Sequence, residues 1–212
     1  MAVRRSGRRS PADRRAVREV TGDVPASRAQ VRAAAPVSGR SIPPGDLVVG
    51  REPYEEPDAQ VLVAAMMGEI GERYAADGPV AGDSPDVAAR WALHGEQVTP
   101  PRGAFVVARV SGEPVGCGGV RRVPGAPADV AEIKRMYTVP AVRGRGISRA
   151  LLAALEAEAA ALGFRRLQLE TGLRQPEAVQ LYSTAGYHRI PDYGQYAGDE
   201  LTLCFAKGLP AR

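Results

Sequence analysis

The sequence predicts one domain of the α/β (α+β) class that follows a long N-terminal extension. The chain has 212 residues, of which 44% are hydrophobic, so it is long enough to bury one core of ordinary size. From about Gly45 onward, two patterns follow each other along the chain. In one, apolar and polar residues alternate, as in a strand; in the other, apolar residues recur every three or four positions, as in a helix. Glycine and proline stand between these segments. These observations predict strands and helices that succeed each other, with the ordered domain at residues 45–210.

Residues 1–42 differ from the rest of the chain in composition and charge. The first 40 residues hold ten arginines against three acidic residues, whereas the whole chain carries a net charge of only +4. Large apolar residues are scarce there, so the segment cannot bury a core, and we expect residues 1–42 to be disordered. A less favoured alternative is an arm that contacts nucleic acid or another anionic surface. Nucleic acid is therefore not expected as a partner, except through this tail.

Composition also excludes several classes of protein. No apolar run approaches the ~20 residues that a membrane span requires, so no membrane association is expected. The two cysteines, Cys117 and Cys204, lie in separate strand-like segments and suit buried thiols better than a disulfide or a metal pair. With only two histidines, His94 and His188, a histidine-based metal centre or triad is not expected. We therefore predict a cytoplasmic protein without a bound metal.

The first half of the domain predicts a strand, a helix, a polar loop, a short second helix and a β-hairpin. A helix from Asp58 to Tyr74 is indicated by apolar residues at helical spacing. The hairpin is indicated by two β-rich runs that flank the turn at residues 111–114. The predicted elements are the strand at residues 46–51, the helix at 58–74, the loop at 76–86, the short helix at 87–93 and the hairpin strands at 104–110 and 115–121.

The second half predicts a strand, a helix, another strand, another helix and two final strands. The strand at residues 130–139 ends at Pro140, because proline cannot donate to the ladder. The helix at residues 147–162 has its leucines on one face and ends before Gly163, a common helix terminator. The remaining elements are the strand at residues 164–171, a helix that begins at Pro176, and strands at residues 187–190 and 200–206.

The turn that leads into the helix at residue 147 combines glycines with arginines. Gly144 and Gly146 allow the backbone to approach a ligand closely, and the helix start offers free N–H groups at a positive dipole end. Three arginines add cationic donors around the same point: Arg143, Arg145 and Arg149. We call residues 143–149 the basic turn and predict that it binds phosphate or pyrophosphate. The chain lacks the Gly-Lys-Ser/Thr sequence of a P-loop, and an arginine replaces the third glycine of a dinucleotide-binding fingerprint.

The basic turn resembles the pyrophosphate-binding loop of the GNAT superfamily of acyl-CoA N-acyltransferases, whose pattern is Arg/Gln-x-x-Gly-x-Gly/Ala. The matching residues are Arg143-Gly144-Arg145-Gly146-Ile147-Ser148, with serine in place of glycine or alanine at the last position. Two further segments resemble motifs of this superfamily: Gln175-Pro176-Glu177-Ala178 and Leu181-Tyr182-Ser183-Thr184-Ala185-Gly186-Tyr187. The resemblance covers about residues 45–208 and includes the order of the elements. It implies a mixed central sheet of about six to seven strands, splayed between its two central parallel strands and flanked by about four helices.

The resemblance implies an enzyme that uses acetyl-CoA as co-substrate, without a metal. The basic turn would hold the pyrophosphate, and the free backbone edge of the strand at residues 130–139 would pair with the pantetheine amides. A backbone N–H near Tyr137 or Thr138 would polarise the thioester carbonyl. The residues expected at the acetyl-CoA site are Met136, Tyr137, Thr138, Val139, Arg143, Gly144, Arg145, Gly146, Ile147, Ser148, Arg149, Gln175 and Ala178.

Two residues are predicted to be catalytic. Tyr182 would protonate the departing thiolate, although its position on an amphipathic helix also suits a core aromatic residue. Glu132 would act as the base that deprotonates the amine, directly or through a water, or would be a salt-bridged residue on the face of the strand. Glu170 is the second candidate for the base.

The expected reaction moves the acetyl group of acetyl-CoA to a primary amine of a small molecule or peptide, by direct attack within a ternary complex. The sequence does not identify the acceptor amine. In this superfamily the acceptor site is formed by segments that correspond to residues 58–100 and 190–200. The tyrosines and carboxylates of the second segment suit a cationic amine, while a solvated turn is their commoner use. The alternative function is a regulatory module that binds acyl-CoA with little catalysis and contacts nucleic acid through its tail. Homodimers are common in the superfamily, and the sequence does not determine whether this chain forms one.

Overall fold

Seven strands form one mixed sheet in the computed structural model of the protein, which describes residue 42 and residues 45–77 and 92–210. The strands are β1 (Leu47–Arg51), β2 (Gly103–Val110), β3 (Glu113–Arg122), β4 (Val130–Thr138), β5 (Arg166–Gly172), β6 (His188–Arg189) and β7 (Thr202–Gly208). The described α-helices are α1 (Pro57–Tyr74), α2 (Ile147–Ala161) and α3 (Pro176–Thr184). Short 3-10 turns occur at Gly95–Val98, Pro140–Val142 and Gly194–Tyr196. The order across the sheet is β1-β2-β3-β4-β5-β7-β6.

The two central strands, β4 and β5, are parallel and separate from each other halfway along their length. Their register begins at Val130 opposite Arg166 and ends at Ile133 opposite Leu169. β4 continues to Thr138 and stays paired with β3, whereas β5 continues beside β7. The other neighbouring strands of the sheet are antiparallel. The structure therefore confirms the predicted mixed sheet that splays between its central parallel strands.

A β-bulge in β4 lies just beyond the last pair with β5. Arg135 has a φ of 57°, and the register with β3 shifts between Cys117 and Gly119, so that Gly118 faces two residues of β4. A Cβ atom on Gly118 would lie 2.8 Å from Leu155 Cδ1, so a larger residue there would force the buried Leu155 side chain to shift. The bulge bends β4 at the point where the two central strands part.

Helices cover both faces of the sheet, and the bulge changes which face each residue of β4 supplies. Before the bulge, Ile133 is buried in the cluster that contains Leu151 and Leu155 of α2. After it, Tyr137 is buried in the cluster that contains Met66 of α1, on the opposite face. In a regular strand, residues four positions apart share a face, so the bulge has reversed the alternation.

The predicted bounds of the described elements agree with the structure to within two residues, and the largest differences occur at β3, β5 and the last hairpin. Phe164 belongs to the turn after α2, where its N–H donates to the carbonyl of Ala159 at 3.0 Å, and β5 therefore begins at Arg166. The last hairpin is shorter than predicted, because residues 190–201 form a loop between β6 and β7. The predicted helix at residues 87–93 lies mostly outside the described residues, as do residues 1–41 of the predicted extension. Within the described ranges, no helix is both long and apolar enough to cross a bilayer.

Candidate functional site

A cleft of about 640 Å³ lies beside the end of β4, between the basic turn, α3 and the C-terminal half of α1. Eleven of the fifteen residues predicted for the site line this cleft: Met136, Tyr137, Thr138, Arg143, Gly144, Gly146, Ser148, Arg149, Gln175, Ala178 and Tyr182. Residues from three distant parts of the sequence are therefore brought together here.

Four predicted residues do not line the cleft: Glu132, Val139, Arg145 and Ile147. Ile147 is only 1% exposed and lies in the core beneath α2, and Val139 packs against the same core. Arg145 is likewise absent from the cleft wall. Any contribution of Arg145 and Ile147 of the basic turn to a ligand would therefore come from their backbone groups.

The glycines of the basic turn adopt a conformation that other residues rarely take. Gly144 and Gly146 have φ values of 76° and 84°, in the left-handed region that glycine enters without steric cost. Gly146 is the N-cap residue of α2, and no side chain caps that helix. The first backbone N–H groups of α2 are therefore available at the turn to donate hydrogen bonds to an anion. Ser148 extends the same region, since its hydroxyl oxygen lies 3.2 Å from Thr138 Oγ1.

Arg143 is held against the end of β4 by two contacts. Its Nε donates to the carbonyl of Thr138 at 2.9 Å, and its guanidinium lies 5.7 Å from the ring centroid of Tyr137. Its Nη2 also donates to Oε2 of Glu69 at 2.6 Å. The cationic group thus lies at the cleft wall, where it is bonded to both β4 and α1.

The residues of α1 that line the cleft were not singled out in the sequence, which indicated only that residues 58–100 take part in an acceptor site. They are Met66, Glu69, Ile70 and Arg73. Arg73 bonds Glu69 at 2.6 Å and Glu177 of α3 at 2.5 Å, so an ionic chain crosses one side of the cleft. The charged pair four residues apart was visible in the sequence, but its partners on other elements were not.

Tyr182 lies in the cleft with its hydroxyl directed towards β4. The hydroxyl donates to Met136 Sδ at 3.6 Å, and the ring meets that of Tyr187 edge to face, with centroids 5.7 Å apart. Burial raises the pKa of the Tyr182 phenol above its ordinary value, with the nearby Glu170 carboxylate acting in the same direction. The phenol therefore stays protonated at neutral pH, and it is its position beside β4 in the cleft that suits a proton donor.

Glu132 lies away from the cleft, in a buried ion pair. Its Oε2 accepts from Arg121 Nε at 3.0 Å and Nη2 at 2.9 Å, and its Oε1 accepts from the Tyr193 hydroxyl at 2.9 Å. The side chain is only 2% exposed. The bulge explains the difference, because unbroken alternation would have aligned Glu132 with Met136, whereas the two residues now lie on opposite faces of the sheet.

Glu170 occupies the first position of β5 beyond the last pair with β4. It is partly buried, and this burial raises the pKa of its carboxyl group to about 7, against the opposing effect of Lys134. Leu169 points into the core beneath α2, so Glu170 points to the opposite face, away from α3. A carboxyl group with a pKa near neutrality, at the edge of the splay, suits proton transfer.

The tyrosines of the loop at residues 190–201 are bonded to the sheet. Tyr196 is 2% exposed and accepts a hydrogen bond from the buried Lys134, and Tyr193 is bonded to Glu132. Their rings meet edge to face, 5.4 Å apart. These two side chains therefore fasten the loop rather than form a solvated turn.

Comparisons with known proteins agree with this geometry. The model of the Acetyltransferase (GNAT) family matches residues 69–187. The chain is 40% identical over 105 residues to an IAA acetyltransferase of Azospirillum brasilense, a match that spans 50% of this chain and 67% of that protein. It is 38% identical over 93 residues to an uncharacterized N-acetyltransferase, YjgM, of Escherichia coli K12, spanning 44% of this chain and 55% of the relative.

Solved structures share the fold. One described as an acyl-CoA N-acyltransferase, from Klebsiella pneumoniae, matches with a TM-score of 0.60 and 27% identity, over 77% of this chain and 97% of that one. The structure of yncA from Salmonella typhimurium, with acetyl-CoA, matches with a TM-score of 0.54 over 79% of this chain and 96% of that one. At 17% identity, this second match bears on the fold alone. Since the family model covers more than half of the sequence, the chain belongs to the GNAT family of acetyltransferases and is an acyltransferase enzyme.

Proposed function

We propose that the chain is an N-acetyltransferase that moves the acetyl group of acetyl-CoA to a primary amine of a small molecule or peptide. The amine attacks the thioester directly, within a ternary complex. The observation that carries this proposal is the separation of β4 from β5 beside the basic turn and Tyr182. That separation frees one backbone edge of β4 for a ligand and supplies a passage between the two faces of the sheet.

The free edge of β4 suits the pantetheine arm. The N–H of Val139 donates to the carbonyl of Val115 in β3 at 2.9 Å, so by alternation the N–H groups of Thr138 and Met136 are directed to the other side, towards the cleft. The carbonyl of Thr138 already accepts from Arg143. Pantetheine amides would pair with these N–H groups as an added strand. The N–H of Tyr137 is directed to β3, which leaves Met136 and Thr138 as the candidate donors to the thioester carbonyl.

The phosphate end of acetyl-CoA would lie on the basic turn. The N–H groups at the start of α2 and the side chains of Arg143 and Arg149 supply donors and positive charge. The small side chain at Ser148 and the two glycines leave the backbone accessible. Ile147 and Arg145 would contribute through their backbone N–H groups, because their side chains do not line the cleft.

Two groups on opposite sides of the splay would handle the protons. Tyr182 would protonate the CoA thiolate as the C–S bond breaks. For the base, the observations favour Glu170 over Glu132, because the Glu132 carboxylate is committed to Arg121 and Tyr193. Glu170 would take a proton from the ammonium group of the acceptor, directly or through a water, before the amine attacks.

The proposal is tested by incubating the protein with acetyl-CoA and a panel of primary amines, including aliphatic, aromatic and peptide N-terminal amines. We expect release of the CoA thiol that depends on one class of amine, with an equal amount of acetylated amine detected by mass spectrometry. Initial rates against both substrates should give intersecting double-reciprocal lines, as a ternary complex requires. Thiol release that no amine accelerates, or parallel lines, would contradict the proposal.

A further inference from the structure

We propose that Glu69 of α1 competes with the phosphate groups of acetyl-CoA for Arg143 and thereby sets the affinity of the enzyme for its acyl donor. The inference rests on the proposed function, since it takes the basic turn as the phosphate site. It adds a residue from a different element, 74 positions away in the sequence, whose charge acts against the ligand.

The hydrogen bonds of Arg143 show why a phosphate must meet Glu69. A carboxylate or phosphate binds a guanidinium best through two parallel N–H bonds on one edge. The two accessible edges of a guanidinium both contain Nη2, and Nη2 of Arg143 donates to Glu69 Oε2 at 2.6 Å. Because Nε is already committed to the carbonyl of Thr138, a bidentate phosphate contact depends on Nη2. The phosphate would therefore share Nη2 with the Glu69 carboxylate, whose negative charge lies beside it and opposes its binding.

Glu69 is not needed to position Arg143. The bond from Nε to Thr138 and the contact with the Tyr137 ring already hold the guanidinium at the end of β4. Removing the negative charge of Glu69 should consequently leave Arg143 in place with its Nη2 donor accessible. A residue that oriented Arg143 would have the opposite effect on ligand binding when it was replaced.

Glu69 would keep a second partner if a phosphate displaced it from Arg143. Its Oε1 accepts from Arg73 Nη2 at 2.6 Å, and Arg73 is in turn bonded to Glu177. The carboxylate can thus leave Arg143 without becoming an unpaired anion. The contact with Arg143 lowers the pKa of Glu69, so the competing charge is present throughout the neutral range.

The side chains of the pair are partly exposed, at 34% for Arg143 and 23% for Glu69. Water and salt screen such a pair, so a moderate effect is expected. We expect Glu69→Gln to bind acetyl-CoA about two- to fivefold more tightly than the wild type. The matched control is Glu72→Gln, which removes the same charge from an exposed position on the same helix. It should change the affinity less than twofold, roughly the scatter of a screened surface charge.

The test is titration calorimetry of the full chain with two ligands, acetyl-CoA and acetyl-pantetheine, which carries no phosphate. Tighter binding of acetyl-CoA by Glu69→Gln, unchanged binding of acetyl-pantetheine, and loss of the gain in an Arg143→Gln background would support the inference. Weaker or unchanged binding of acetyl-CoA by Glu69→Gln would overturn it. So would an equal gain in Glu72→Gln, or an equal gain for acetyl-pantetheine. If the wild type fails to bind acetyl-CoA, the proposed donor itself is wrong, and the inference fails with it.

Discussion

Tyr182 is the residue whose removal should most directly report on leaving-group protonation. Tyr182→Phe keeps the ring against Tyr187 and removes only the hydroxyl, which donates to Met136 Sδ. If the phenol protonates the thiolate, kcat should fall by roughly 10²- to 10⁴-fold. The KM for acetyl-CoA should change little, because the interaction belongs to the transition state. Steady-state and single-turnover rates of thiol release measure both quantities.

Tyr187→Phe is the matched control for that experiment. Tyr187 is a buried tyrosine that touches Tyr182 but does not line the cleft. Its variant should keep at least half of the wild-type kcat, roughly the spread of neutral substitutions. If Tyr182→Phe retains more than about a third of wild-type turnover while chemistry limits the rate, well short of the expected loss, the acid is another group. Tyr137, which also lines the cleft, would be the next to replace.

The elevated pKa of Glu170 predicts how activity depends on pH. A general base works only when ionised, so with a pKa of about 7 activity should fall as the pH drops through about 7. The charged groups that act on this carboxyl are Lys134, Glu132, Asp199 and Arg135, and all are retained in a Glu170→Gln variant. That variant should lose roughly 10²- to 10⁴-fold in rate. It should also lose the acidic limb near pH 7, measured as kcat at saturating amine.

Glu132→Gln separates the two carboxylates. Its removal leaves Arg121 without its buried counter-charge, so the melting temperature should drop. The acidic limb should remain but move to lower pH, because the negative charge of Glu132 contributes to the raised pKa of Glu170. The result that contradicts this assignment is a Glu170→Gln variant whose pH profile matches that of the wild type. A limb that disappears in Glu132→Gln instead would restore Glu132 as the base.

At the scale of single elements, the conformation of the basic turn follows from its local sequence. Gly146 has a φ of 84° at the N-cap of α2, and its Cβ position meets no described atom within 4 Å. Gly146→Val should therefore destabilise the fold through backbone strain, by about 1–3 kcal/mol. It should also weaken acetyl-CoA binding, because the branched side chain would occupy the place where pyrophosphate meets the backbone. Thermal shift with and without acetyl-CoA measures the two effects separately.

Gly163→Val provides the control, since Gly163 lies at the other end of α2. Its φ is 89°, and its Cβ position likewise has no described atom within 4 Å. The substitution should cost similar stability yet leave the ligand-induced shift intact, equivalent to ~2–3 kcal/mol at one hundred times the dissociation constant. An equal ligand-induced shift in both variants would exclude a phosphate role for the turn.

The contrast between the basic turn and the bulge shows what the sequence can predict. The turn was predictable because its glycines, arginines and following leucine stripe are contiguous, and each has a local physical meaning. The bulge at Arg135 carries no such signal, because a lysine, an arginine and a methionine in a row also suit a regular strand. If the alternation of a regular strand continued through Arg135, Glu132 and Met136 would lie on the same face. Only the pairing of β4 with β3 reveals that the two lie on opposite faces.

At the scale of the whole molecule, the order of elements predicted the sheet, whereas contacts between distant elements stayed hidden. The parallel pair β4 and β5 follows from a strand, helix and strand in succession, the arrangement of a crossover connection. The link from Glu69 to Arg143 joins α1 to the basic turn, and no pattern in either segment specifies it. Charges at the surface of a helix have many allowed partners, so their pairing depends on how the helices dock.

Removal of the arginine-rich extension is the prediction that concerns the chain as a whole. Its composition cannot support a core, and among the described residues those that line the cleft lie between positions 66 and 184. Ile42 packs against the core, so the shortened chain should begin at residue 41. We expect this variant to keep kcat within about twofold and its melting temperature within a few degrees, as for changes outside the folded core. A chain that begins at residue 53 also lacks β1, which pairs with β2 over five residues, and should lose stability clearly. If the chain that begins at residue 41 loses activity while circular dichroism and melting are unchanged, the extension takes part in the site, and the domain boundary must move towards the N-terminus.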